Sequence, residues 1–384
     1  MIWGSLYEER EKAMEKLRLC VPCHFGLESV LAYEIKKIGG EDLVTTDGKI
    51  SFTGSFETLA KANLWISSGE RVLIELASFE ARSFGELFEG TRRIPLEDYV
   101  GKTDAFPVKG SSLNSKLHSV PDCQRIIKKA CVRRLESVYG ISFFEETGAK
   151  HQLQFTILKD KVTIYLDTTG QGLHKRGYRK NSNDAPIKET LAAGIIDLAR
   201  VRQDTQVCDP MCGSGTFLIE SAYKAMNIAC GLRRIFAAQE WQQIPQEVWH
   251  RARAEAMDSI KRDVAFRGVG FDIDELAVDL TSANAKKAGV GARIEVKQQD
   301  ISKLKLQKGS TLFCNPPYGE RLLDIRAAEE LYRKMGQVIS PSKDNPCYII
   351  SPHEEFEKFF GKKADKKRKL YNGMIKCDLY MYFR

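Results

Sequence analysis

Two different rhythms of hydrophobic and polar positions divide this chain. Between about residues 18 and 165, short apolar runs of both periods follow one another irregularly. "RLCVPC" (18–23), "DGKISFTGS" (47–55), "ERVLIELASF" (70–79), "HQLQFTIL" (151–158) and "KVTIYLDT" (161–168) have the β-branched and aromatic content of strands. "GLESVLAYEIKKIG" (26–39), "SFETLAKANLWI" (55–66) and "PDCQRIIKKACVRRLESVYG" (121–140) carry helical spacing. Strands and helices without a regular βαβ alternation predict an α+β arrangement.

After residue 185 the alternation becomes regular. Helical "APIKETLAAGIIDLAR" leads to the strand "TQVCDP", a turn "MCGSG" and the helix "TFLIESAYKAM". The strand "GVGFDID", the helix "ELAVDLTSANAKKAG" and the strands "IEVKQQD" and "TLFCNPP" follow, then the helix "RAAEELYRKMGQVI" and the strand "CYIISP". Such a series predicts a mostly parallel, doubly wound, Rossmann-like α/β sheet, and "KLYNGMIKCDLYMYF" adds two closing strands. A Trp-containing helical stretch over 231–262 interrupts the series; Trp241 and Trp249 are expected to pack it onto this sheet or to form a lid over a bound base.

The expected organisation is therefore an N-terminal helical extension (1–17), an α+β subdomain (18–65) and a second one (66–167). A basic linker (168–184) and an α/β domain (185–384) complete it. Composition narrows the setting. No apolar run approaches the ~18 residues of a membrane helix, so no membrane partner is expected. The first 20 residues are charged and helical rather than an apolar secretion signal. Ten cysteines without a framework suit a reducing, cytoplasmic setting. The net charge of +8 is compatible with nucleic acid. It is concentrated in "HKRGYRK" (174–180) and "GKKADKKRK" (361–369). Either cluster can be a solvated face; the first also offers a ring and a glycine between two structured halves, so Lys175, Arg176, Tyr178 and Arg179 are the candidate nucleic-acid contacts. Nothing in the sequence fixes the oligomeric state, and a monomer is favoured.

In a doubly wound sheet, ligands bind beyond the carboxyl ends of the strands. Asp209, Asp272, Asp300 and Asn315 stand at four such ends in turn. In "DPMCGSG", Gly213 and Gly215 let backbone approach a ligand while a helix presents its N-terminus. Leu218 stands where a dinucleotide fingerprint needs its third glycine, and no Gly-Lys-Ser/Thr follows for a P-loop. Asp272 can accept from a ribose diol and Asp300 from an adenine amino group; the alternative for Asp272 is a helix N-cap, which Asp274 fits better, and that for Asp300 is a turn residue. Adenosine without phosphates fits this set better than a dinucleotide. In "NPPY", two prolines stiffen a loop that displays the Asn315 amide, the Pro316 carbonyl, Pro317 and the Tyr318 ring. The pair in "CVPCH" has no second pair at zinc spacing, the six histidines show no ligand pattern, and Cys212 reads as a small turn residue; no metal is expected.

The ordered motifs "DPMCGSG", "GFDID", "QQDI" and "NPPYGERL" resemble class I S-adenosylmethionine-dependent methyltransferases acting on exocyclic amino groups. With "APIKETLAAGII", "DPMCGSGTFLIE" and "YNG", the closer resemblance is to THUMP-domain RNA guanine-N2 methyltransferases, including bacterial enzymes of 23S ribosomal RNA. It is strong over 185–384 and looser over 18–165, where that family carries a ferredoxin-like piece and a THUMP domain. The resemblance implies S-adenosylmethionine as cofactor, held by Asp209, Gly213, Gly215, Asp272 and Asp300, with Thr190 beside its carboxylate. It implies Asn315, Pro316, Pro317 and Tyr318 as the catalytic loop. Ribosomal RNA is expected ahead of transfer RNA. The competing readings are a DNA adenine-N6 methyltransferase, against which the N-terminal half speaks, and a catalytically silent RNA-binding assembly factor, against which the intact motif series speaks.

Overall fold

The computed structural model describes residues 16–179, 186–318 and 325–384. The expected N-terminal extension, Lys180 and the "GERLLD" segment after Tyr318 fall wholly or mostly outside them. The first half contains β1 (Leu17–Pro22), α1 (Glu28–Lys37), β2 (Glu41–Thr46), β3 (Lys49–Gly54), α2 (Phe56–Trp65), β4 (Leu73–Glu80), α3 (Phe84–Arg92), β5 (Val108–Leu113), α4 (Val120–Tyr139), β6 (Leu153–Leu158) and β7 (Lys161–Asp167). These strands make one seven-stranded sheet in the order β2-β3-β1-β4-β7-β6-β5, antiparallel except for the parallel β5–β6 pair. The sheet is continuous because β4 pairs with both β1 and β7. Three elements here have little periodic signal. β2 and β5 are the two exposed edges, so neither needs an apolar face. α3 contains Gly85 and Gly90 and is started by a capping box, Ser83 with Glu86. Gly90 lies where a Cβ would stand 2.3 Å from the Phe79 ring.

The second half contains α5 (Glu189–Leu198), β8 (Gln206–Asp209), α6 (Thr216–Ala225), α7 (Gln246–Asp258), β9 (Arg267–Asp272), α8 (Glu275–Ala288), β10 (Ile294–Gln298), β11 (Ser310–Cys314), α9 (Ile325–Val338), β12 (Cys347–Ser351), α10 (Phe356–Phe360), β13 (Lys366–Asn372) and β14 (Ile375–Tyr382). Its sheet runs β10-β9-β8-β11-β12-β14-β13, with the first five strands parallel and the β13–β14 hairpin antiparallel. Strand succession reverses between β8 and β11, which opens a crevice at their carboxyl ends.

The tryptophan-containing insertion takes a course the sequence pattern did not indicate. Trp241 and Trp249 are fully buried, but in the core of the first half rather than on the α/β sheet or over the cavity. Trp241 stacks on His151 at 4.6 Å between ring centroids and donates from Nε1 to the Lys150 carbonyl. The halves interlock in the other direction too, since Leu27 and Val30 enter the core built on α5 and α6. All ten cysteines are free and buried, including the pair in "CVPCH".

Candidate active site

The four parallel strands β10, β9, β8 and β11 are adjacent, so their carboxyl ends deliver Asp300, Asp272, Asp209 and Asn315 to one place. A cavity of about 950 Å³ opens there, lined on one side by 209–214 and on the other by Asn315, Pro316, Pro317 and Tyr318. The glycine turn has a physical cause. Gly213 (φ +52°) and Gly215 (φ +80°) both adopt left-handed conformations, and a Cβ on Gly215 would lie 2.7 Å from Thr281 Cγ2. Helix α8 pins the turn: Thr281 Oγ1 donates to the Gly213 carbonyl (2.9 Å) and Asn284 Nδ2 to that of Ser214 (3.0 Å). No local motif marks Thr281 and Asn284, because their role exists only once α8 packs beside α6.

The carboxylates differ in environment. Asp209 is buried; desolvation pushes its carboxyl up to about 8, opposed by the Met211 N–H and reinforced by Asp272. Asp272 accepts from the Gly213 N–H (2.9 Å) with one oxygen and from the Asp274 N–H (3.1 Å) with the other. Asp300 is half-buried and caps a short turn by accepting from the Ser302 N–H (2.8 Å); the Ser302 side chain and backbone lower its pKa. Asp300 therefore takes the turn role its position also allowed, and Asp274, not Asp272, is the N-cap of α8; all three carboxylates line the cavity. Apolar walls come from Ile273 and Ile301 beside them, two lining residues inside the quoted motifs to which the sequence pattern assigned no role. Among the described lining residues are five carboxyl groups, Asp209, Asp272, Asp274, Asp300 and Glu330, and one basic side chain, Lys334. In a chain of net charge +8, that is a local inversion of sign.

The Asn-Pro-Pro-Tyr loop leaves β11 over a stack of rings, Phe217–Phe313 at 5.3 Å and Phe313–Tyr348 at 5.5 Å. Tyr318 is tethered by its hydroxyl, which accepts from Asn372 Nδ2 (3.2 Å) at the end of β13. Cys212 is buried, with its thiol pushed up by desolvation, which disfavours a nucleophilic thiolate.

Four expectations are corrected. Thr190 does not reach the cavity: it is fully buried and its hydroxyl donates to Glu70 Oε1 (2.7 Å), while Pro186 and Ile187 line the wall on that side. Arg176 and Tyr178 are buried, not presented to RNA. Arg176 pairs with Glu220 (3.2 Å) and the Tyr178 hydroxyl donates to the same carboxylate (3.0 Å). Arg179 is mostly buried; its guanidinium donates to Thr216 Oγ1 (2.6 Å) and to the Ile187 carbonyl, holding the linker against the start of α6. A basic linker between two units supplies charge to their joint as readily as to a partner, and composition does not separate the two. Lys175 alone of the four is exposed. No group of three or more potential metal ligands occurs among the described residues.

Family models match three consecutive parts of the chain: an RlmL ferredoxin-like domain over residues 18–73, a THUMP domain over 81–167 and an RMKL-like methyltransferase domain over 176–381. A Bacillus subtilis (strain 168) protein named Putative RNA methyltransferase YpsC is 41% identical over 374 residues, covering 96% of this chain and 97% of its own. Ribosomal RNA large subunit methyltransferase K/L of Psychromonas ingrahamii is 33% identical over 94% of this chain, which spans about half (49%) of that longer protein. Among solved structures, SMU.472, described as a putative methyltransferase complexed with SAH, is 40% identical with a TM-score of 0.90, covering 96% of this chain and 98% of that one. One from Listeria monocytogenes, described as a predicted N6-adenine-specific DNA methylase, is 41% identical with a TM-score of 0.89, covering 97% of both.

Proposed function

Since this chain belongs to the RMKL-like methyltransferase family, we propose that it transfers a methyl group from S-adenosylmethionine to the exocyclic N2 amine of a guanosine in RNA, with 23S ribosomal RNA as substrate ahead of transfer RNA. The observation that carries the reading is the meeting, in one cavity, of a glycine turn among carboxyl groups with the Asn-Pro-Pro-Tyr loop. The residues present fit the cofactor. A lining with five carboxyl groups and one lysine suits a cationic, phosphate-free nucleoside and disfavours a dinucleotide. Gly213 and Gly215 admit it closely; Asp209 would hold its amino group, Asp272 its ribose and Asp300 its adenine. When bound, it supplies a methyl group made electrophilic by the sulfonium.

The rest is the chain's own work. A purine amino group is a weak nucleophile because its lone pair is delocalised into the ring. The Asn315 side-chain oxygen and the Pro316 carbonyl accept its two hydrogens and hold the nitrogen nearer to tetrahedral. Proline on either side of that carbonyl keeps the acceptors preorganised. Tyr318 gives the base a stacking face, and its tether to Asn372 holds the ring in position. Transfer leaves a cationic amine that loses its proton readily, so no strong base is required.

Mass-spectrometric nucleoside mapping of ribosomal and transfer RNA, from cells with and without the gene, tests this. We expect one N2-methylguanosine to vanish and to return with wild type but not with Asn315→Ala. In vitro that variant is expected to lose about 10²- to 10³-fold in kcat while keeping its affinity for S-adenosylhomocysteine. A second reading, DNA adenine-N6 methylation, is favoured by the similarity to the Listeria protein as described. Loss of N6-methyladenine from DNA, with RNA nucleosides unchanged, would replace the first reading with this one.

A further inference from the structure

The tip of the β13–β14 hairpin leaves the body of the sheet beside the cavity. Asp378 pairs with Ser351, the last residue of β12, so Ile375 to Cys377 run three residues beyond it. At ~3.4 Å per residue the hairpin overhangs the carboxyl edge by about 10 Å. The overhang ends in a two-residue turn, Gly373 (φ +66°) and Met374, with Met374 98% exposed. Asn372 ties this tip to Tyr318.

Strand alternation sends the neighbour of Asn372 to the opposite face. There Tyr371 stands directly across from Lys376, with Lys369 two positions back on the same face. Both lysines are exposed, and neither has an ion pair among the described residues. Tyr371 is met by Phe25, from the loop between β1 and α1, in an edge-to-face pair at 6.1 Å. Phe25 is 53% exposed although its loop is firmly held: Glu28 accepts from the N–H groups of Gly26 (2.9 Å) and Gly48 (3.0 Å), and Arg368 donates to the Gly26 carbonyl (2.6 Å). Gly26 (φ +87°) lets the loop lie against β13; a Cβ there would stand 2.8 Å from the Lys369 carbonyl.

Two rings from two different units, held at the surface with two exposed lysines beside the active cavity, suit a ligand with a flat apolar face and negative charge. We infer that Phe25 and Tyr371, with Lys369 and Lys376, form a platform on which an unpaired nucleotide flanking the methylated guanosine stacks. The inference rests on the proposed function for its RNA substrate. Stacking one neighbour outside the duplex keeps the target base free to enter the cavity, and the lysines meet the phosphates on either side. The platform bridges the first half and the methyltransferase unit, so it is complete only when the two are docked.

The test uses the full-length protein and the double variant Phe25→Ala/Tyr371→Ala, both positions being exposed, with thermal melting to verify folding. Fluorescence anisotropy with a short single-stranded oligoribonucleotide and with a blunt RNA duplex of the same sequence gives a readout independent of catalysis. We expect about tenfold or greater loss of single-strand affinity with duplex affinity little changed, because a duplex exposes a base face only at its two terminal pairs. The KM for ribosomal RNA should rise by a similar factor at unchanged affinity for S-adenosylhomocysteine. Lys369→Glu/Lys376→Glu should weaken binding of both probes and flatten its salt dependence. Unchanged single-strand affinity in the aromatic variant, or equal loss for both probes, overturns the platform. If wild type methylates no RNA, the proposed function falls, and the anisotropy comparison still decides whether the rings hold an unpaired strand.

Discussion

Asp209 shows how one buried carboxyl can couple a ligand to pH. Its folded pKa of about 8 lies above the ordinary 3.8, so across that interval the native state keeps a proton that the unfolded chain has lost. Stability from this group therefore falls as pH rises from about 4 to about 8 and is level beyond. Asp209→Asn removes the dependence. The melting temperature of wild type relative to this variant should drop progressively over that window in differential scanning fluorimetry, and a constant difference would refute the assignment. A cationic ligand amino group stabilises the ionised carboxylate. The affinity of wild type for S-adenosylhomocysteine should accordingly rise with pH up to about 8, and that of the variant should not.

At the scale of elements, the linker that looked like a nucleic-acid arm is a structural strap. Its Arg176 and Tyr178 reach Glu220 of α6, and all three side chains are buried. A buried pair that loses one partner leaves an uncompensated charge. Glu220→Ala should cost about 3–5 kcal/mol in urea denaturation, far more than Lys175→Ala on the exposed part of the same strap. Arg179 does related work nearer the site, joining Thr216 at the start of α6 to the segment that lines the cavity. Its replacement by Ala should weaken S-adenosylhomocysteine binding in calorimetry without touching the RNA surface.

At the scale of the molecule, the two halves have interpenetrating cores. Residues 229–256, inside the methyltransferase unit by sequence, bury Phe236, Trp241 and Trp249 in the first half, and Leu27, capping α1, and Val30 of α1 enter the second. Heat should therefore unfold the chain in one calorimetric transition, not two. Trp241→Ala, which removes the ring stacked on His151, should cost about 3–5 kcal/mol and lower the melting of the whole molecule. Two well-separated transitions, with only one shifted by that variant, would contradict the shared core. The docking also fixes Phe25 against Tyr371, so the geometry of the aromatic platform depends on it.

What the sequence determined by itself was whatever is local or strictly periodic. The parallel series of strands, the left-handed glycines of "DPMCGSG", the stiff loop after β11 and the alignment of Asp209, Asp272, Asp300 and Asn315 at strand ends all follow from spacing and from backbone rules that act within a few residues. Edge strands β2 and β5 were silent because an exposed edge demands no apolar face. Tertiary structure decided the rest. Whether Arg176 meets a phosphate or Glu220, whether Trp241 covers a base or fills a core, and whether Thr190 faces a ligand or Glu70 are choices between partners more than 40 residues apart. Charge and aromaticity make a side chain able to take either partner, and only packing brings one within contact distance.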